Sequence, residues 1–132
     1  MNAHTAPVVS LLMTGSELMS GDTIDSNSAW IAQNLLDIGL AVSEMATVGD
    51  DLNLLLEQIR RLCSKSHLLI INGGLGPTQD DLTAEVLARS AGTGIATHEG
   101  ARQHIVQWCS NKGFSANKAN MKQAELPAGC TI

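Results

Sequence analysis

Residues 67–71 read His-Leu-Leu-Ile-Ile, and three glycines follow at Gly73, Gly74 and Gly76. A continuous apolar run of this length, closed by glycine, is the pattern of a strand covered on both faces at the centre of a parallel sheet. Parallel strands cannot be joined by tight hairpins. The rest of the chain must therefore supply crossover helices.

The flanking sequence meets that demand. Pro7–Met13 (PVVSLLM) is a short apolar run closed by Thr14-Gly15, and Leu40–Val48 is a third strand segment closed by Gly49-Asp50. Ala29–Ile38 carries Ile31, Leu35 and Ile38 on one face, with Asp25 or Ser26 as its cap and Gly39 as its stop. In Asp51–Cys63, Leu52, Leu55, Leu56, Ile59 and Leu62 form one apolar face. Asp80–Ala91 and Gly100–Asn111 are two more helices, the second with Ala101, Ile105, Trp108 and Cys109 on one side. The order β-α-β-α-β-loop-α-α predicts a single α/β domain over residues 1–132, with right-handed crossovers. Ala124–Ile132 reads as a turn entering a new strand, which leaves a three-stranded sheet incomplete and marks the chain as a fragment of a longer protein. Ligands of such sheets bind at the carboxyl ends of strands, here Thr14–Gly21, Gly49-Asp50 and Asn72–Asp81.

Composition narrows the function. The 132 residues include two Trp, one Phe and no Tyr, so the core is aliphatic, and Trp30 and Trp108 read as core or interface positions. A formal net charge of −5 with eight basic residues argues against nucleic-acid partners, which need Lys and Arg for phosphates. No stretch has the length of a membrane span or the pattern of a signal peptide. Cys63, Cys109 and Cys130 are too scattered for a disulfide framework or a zinc site, which fits a cytoplasmic location. His4, His67, His98 and His104 lack metal-ligand spacing, and His98 and His104 read as surface or packing residues.

The glycine loop carries the chemistry. Glycines after a buried strand permit positive φ, and successive N–H groups there form an anion-binding nest, reinforced by the following helix. A plain turn is the competing interpretation. Thr78 followed three residues later by Asp81 also resembles a capping box. Two carboxylates, Asp80 and Asp81, would repel a phosphate unless a hard cation such as Mg²⁺ bridges them to it. Asp50 stands at the same sheet edge, with Asp50 or Asp51 capping the next helix as the alternative.

Thr14-Gly15-Ser16-Glu17-Leu18, Asp25-Ser26-Asn27-Ser28, Thr47-Val48-Gly49-Asp50-Asp51 and the run from Gly73 to Thr83 (GGLGPTQDDLT) stand in the same order as in the CinA (competence/damage-inducible protein A) family, which this chain resembles over nearly its whole length, including Asn117–Ala128. The likeness is to that family's N-terminal domain, which shares its fold with MogA, MoaB, MoeA and gephyrin. It implies a three-layer α/β sandwich with a mostly parallel sheet, molybdopterin-binding-domain-like and truncated at the C-terminus. It implies divalent-metal-dependent hydrolysis of the pyrophosphate of ADP-ribose or a similar nucleoside-diphosphate sugar, with Mg²⁺ or another divalent cation and K⁺ as activator. The alternative is a molybdopterin-binding or molybdenum cofactor biosynthesis module without that activity. Under the resemblance Asp50 and Asp81 are catalytic, and Asp80 and Asp81 hold the metal. Gly15, Glu17, Asn27, Gly73, Gly74, Gly76, Thr78 and Thr83 contact a phosphorylated, nucleotide-like small molecule in a homo-oligomer, dimer or trimer.

Overall fold

The computed structural model describes residues 6–132, so His4 lies outside the described residues. The chain divides into two compact units inside the glycine run, one ending at Gly73 and the other beginning at Gly74.

The first unit contains β1 (Val9–Thr14), α1 (Ser16–Ser20), α2 (Ser26–Asp37), β2 (Val42–Val48), α3 (Leu52–Cys63) and β3 (Leu68–Asn72). Its three strands are parallel in the order β2-β1-β3. The central strand is therefore β1, buried along its whole length, and not the His67–Ile71 run expected at the centre. Two crossovers explain this. β1 connects through α2 to its neighbour on one side, and β2 then connects through α3 across β1 to the other side. Right-handed crossovers in opposite directions put α2 and α3 on opposite faces, which gives helix–sheet–helix layering. Among the described residues β3 pairs only with β1, and Leu68 is exposed.

Side chains alternate along β1. Val9 and Leu11 pack with Ile31 and Leu35 of α2 and with Leu40, Val42 and Ile70. Leu12 points to the other face, where α3 buries Leu55, Ile59 and Leu62. Helix α2 stops at Asp37 through a Schellman motif: Gly39, at φ 84, donates to the Leu36 carbonyl, and Leu40 donates to the Leu35 carbonyl. Ile38 falls outside the helix and is 72% exposed, so it does not join the apolar face assigned to it.

The second unit contains α4 (Thr83–Ala91), β4 (Ile95–Thr97), α5 (Glu99–Asn111), α6 (Lys118–Lys122) and β5 (Glu125–Pro127). β4 and β5 pair antiparallel, Ile95 opposite Pro127, and α4 packs against both. The strand expected beyond Ala124 is therefore only three residues long. His98 caps α5 by accepting from the Ala101 N–H, and Asn117 and Asn120 cap α6 reciprocally. Neither tryptophan is core: Trp30 is 66% and Trp108 50% exposed. No helix among the described residues is long and apolar enough to cross a membrane.

Candidate functional site

The candidate residues fall into two clusters, one in each unit. In the first unit they gather at the carboxyl ends of the strands. Asp51, not Asp50, caps α3 by accepting from the Leu54 N–H at 2.9 Å. Asp50 is thereby left to bridge β2 to the loop after β1. It accepts from Ser16 N–H at 2.9 Å and from the Thr14 hydroxyl at 3.3 Å, and its own N–H donates to Ser16 Oγ. The Glu17 carboxylate folds back over Gly15, where an added Cβ would lie 2.6 Å from Oε1. Asn27, on α2, donates to the Asn72 side chain at 3.0 Å, at the end of β3. Gly73 has φ 110, and a Cβ there would lie 2.2 Å from the Thr14 carbonyl oxygen. Only glycine permits this approach of the β3 exit to the β1 exit. That junction is the switch point of the sheet, where one crossover leaves to each side.

In the second unit the glycine loop holds its own acid. Thr78 donates to Asp81 Oδ2 from its N–H at 2.9 Å and from its hydroxyl at 2.6 Å. The Gly76 N–H is a third donor to this carboxylate, and a Cβ at Gly76 would lie 2.6 Å from Oδ2. Partial burial pushes the Asp81 carboxyl up. The hydrogen bonds from Thr78 and Gly76 and the charge of Lys122 outweigh it and hold the group below the usual carboxylate range. The capping box, the alternative for this pair, does not form, because the N-cap of α4 is Leu82. α4 begins only at Thr83, so the Thr78–Asp81 turn stands ahead of the helix. Thr83 is 1% exposed and its N–H donates to the Gly74 carbonyl, which shapes the loop from behind. Asp80 is exposed.

One residue was not picked out by its sequence. Lys122, the last residue of α6, donates through Nζ to the carbonyls of Thr78 and Asp81, the latter at 2.9 Å. A lysine 41 positions beyond Asp81 carries no local signal of this contact. Lys122, Asp81, Gly74, Leu75, Gly76 and Gln123 line a cavity of about 350 Å³. The Asp81 carboxylate already fills the nest, so an anionic ligand in this cavity meets the Lys122 ammonium and needs either a bridging cation or the displacement of that carboxylate. Among the described residues no group of three or more His, Cys, Asp or Glu could hold a metal ion.

The chain as a whole has counterparts among known proteins. A family model described as "Probable molybdopterin binding domain" matches residues 10–128. A CinA-like protein of Colwellia psychrerythraea is 52% identical over 128 residues, 97% of this chain and 30% of that protein. The crystal structure of CinA from Thermoplasma acidophilum, described as of unknown function, superposes with a TM-score of 0.84 at 30% identity, over 96% of this chain and 73% of that one. The chain is a molybdopterin-binding-like domain of the CinA family. A CinA-like protein of Escherichia coli strain UMN026 is 40% identical over 120 residues, 91% of this chain and again 30% of its own length. The chain thus spans about 30% of the length of these curated relatives. MoaB of Thermus thermophilus, a molybdopterin biosynthesis enzyme, superposes with a TM-score of 0.61 at 18% identity over 90% of this chain and 70% of its own, which extends the shared fold alone.

Proposed function

We propose that this CinA-type domain binds a small phosphorylated ligand of pterin-like chemistry, with the phosphate against the Gly74–Gly76 backbone and Lys122. The observation that carries the reading is the cavity where that backbone, Asp81 and Lys122 converge. The family model and the relatives' fold support it. An acidic chain has few cations to spend on an anion, so backbone N–H groups and one placed lysine do the work.

A second reading, hydrolysis of the ADP-ribose pyrophosphate in the longer protein, is favoured by one feature: Asp81 stays ionised inside the cavity. Asp81, with Asp80, would hold a divalent cation jointly with the diphosphate, and the cation would polarise the phosphoryl group. Asp50 belongs to that reading as the other catalytic carboxylate, K⁺ as an activator, and a cytoplasmic homo-oligomer as its setting. The deciding experiment uses the full-length protein with a phosphorylated pterin in titration and with ADP-ribose across a divalent-metal series. Tight pterin binding with ADP-ribose left intact supports the first reading. Metal-dependent release of AMP, lost in Asp81→Asn, supports the second. Failure of both ligands to bind rejects the site.

A further inference from the structure

β2 is an open edge of the parallel sheet. Among the described residues it pairs with β1 alone, so one row of its backbone N–H and C=O groups has no strand beside it. The Val48 carbonyl accepts from the Gly15 N–H, so Val48 turns its backbone groups toward β1. Backbone direction alternates along a strand, and Thr47 and then Met45 follow with Ala46 between them. Met45 and Thr47 therefore turn their groups to the open side. Such an edge accepts a further strand unless charge, proline or a cover blocks it. Val42–Val48 contains no proline and no lysine. Its one charged residue, Glu44, is tied back to Arg61 at 2.7 Å and to Lys65. The register shift lies at the start of the strand, and from Glu44 to Val48 the ladder is regular.

The strand's own sequence says what fits there. Val-Ser-Glu-Met-Ala-Thr-Val nearly repeats itself backwards around Met45. Laid antiparallel on a second copy with Met45 at a two-fold axis, Val42 faces Val48, Ser43 faces Thr47, Glu44 faces Ala46 and Met45 faces itself. Branched residues meet branched ones, hydroxyls meet hydroxyls, and no carboxylate stands opposite another. The two Met45 residues, with backbone groups turned outward, exchange both N–H···O bonds. Met45 is in register with Leu11, so its side chain lies on the α2 face, where it is 50% exposed. In the same layer α2 leaves Trp30 and Leu36 exposed. Glu44 is in register with Ser10 and lies on the α3 face, and each copy brings its own Arg61 and Lys65 to neutralise it. The edge of β3 offers no such match. Turned about Ile70, it sets Leu68 against Asn72, whose side chain already accepts from Asn27.

We infer that β2 is a self-association edge: two copies join antiparallel through β2 about Met45 and continue one sheet across the axis. Few side chains are buried by edge pairing, so the association is weak and depends on concentration.

The test is specific to this register. In full-length protein carrying Cys63→Ser and Cys130→Ser, Met45→Cys places two thiols at the axis. Oxidised glutathione should link them. One thiolate attacks the glutathione disulfide, the partner's thiolate displaces the bound glutathione, and two glutathione thiols leave. The same background without Met45→Cys should not link. Thr47→Cys is the register control, because its two copies stand four residues apart along the strands, roughly 13 Å, beyond disulfide reach. In sedimentation of the parent protein, mass should rise between about 1 μM and about 1 mM. Thr47→Pro removes an outward N–H without touching the β1 ladder and should weaken association at least tenfold. Met45→Lys leaves the backbone intact, sets two ammoniums at the axis and should do the same, which guards against a folding defect in the proline variant. Amide exchange at Met45 should slow as the copies associate. Linking at position 47 as readily as at 45 overturns the two-fold register. No link at 45 with a mass independent of concentration overturns the pairing. An assembly that survives both Thr47→Pro and Met45→Lys lies elsewhere and also overturns it. Slow Met45 exchange in a species of monomer mass gives the edge to another part of the longer chain and overturns the second copy as its occupant.

Discussion

Gly73 and Gly76 stand three positions apart and constrain the loop in different ways. At Gly73 an added methyl group meets the Thr14 backbone carbonyl, which cannot rotate away, and φ is positive. Gly73→Ala is expected to destabilise the first unit by about 2 kcal/mol or more in urea unfolding. At Gly76 the atoms nearest the added methyl belong to the Asp81 carboxylate, a side-chain end that can turn aside once its bonds to Thr78 break. Gly76→Ala should leave the unfolding midpoint almost unchanged and push the carboxylate out of its nest, which a shift in affinity for ribose 5-phosphate would reveal. Lys122→Met removes the ammonium from two loop carbonyls. Amide exchange at residues 75–81 is expected to quicken, and phosphate affinity to fall roughly tenfold, the scale of a charge-assisted hydrogen bond. Unchanged exchange in that variant would show that the clamp does not order the loop. At this scale the glycine loop was legible because backbone freedom is written into residue type. The nest's occupancy by Asp81 was not, because Thr78 and Asp81 at the same spacing also spell a capping box. Lys122 was not, because a contact across 41 positions depends on where α6 lies.

The elements read from periodicity are the long ones. α2, α3 and α5 have 12, 12 and 13 residues, enough turns for an apolar face to repeat. β4 and β5 have three residues each and α6 has five, too few for any period to register. The exchange of roles between Asp50 and Asp51 was left open for the same reason: adjacent aspartates are equivalent as text, and only the backbone direction at the start of α3 separates them. Asp51→Ala should therefore cost about 1 kcal/mol as a lost cap, whereas Asp50→Ala should leave α3 capped. In β1, Leu11→Ala opens a cavity in the layer between sheet and α2 and is expected to destabilise by about 2–5 kcal/mol, read by chemical denaturation. In the first turn of α5, hydrogen bonds from Arg102 and Gln103 lower Glu99 from the ordinary 4.5 to about 2. A carboxylate whose folded pKa is depressed contributes above its unfolded value and loses that contribution as pH falls through the folded one. The surface contribution of this pair should thus be present above pH 4.5 and vanish toward about 2. A pH titration of Glu99→Gln against the parent chain would show the difference closing over that window.

Across the molecule, charge and fold pull toward one kind of ligand. With a net charge of −5 the chain repels anions at long range and captures them only at short range. Ribose 5-phosphate binding should accordingly change little between about 50 and about 200 mM salt, where a nucleic-acid binder loses orders of magnitude. A steep loss in a salt series would point to a basic surface that this composition lacks. The bond from Lys122 to the carbonyls of Thr78 and Asp81 also has a consequence in time. A ribosome delivers all three strands of the parallel sheet before it reaches residue 122, so the loop is finished last. A nascent chain halted after α5 would carry the glycines, the threonine and the aspartates, and still lack the ammonium that fastens them.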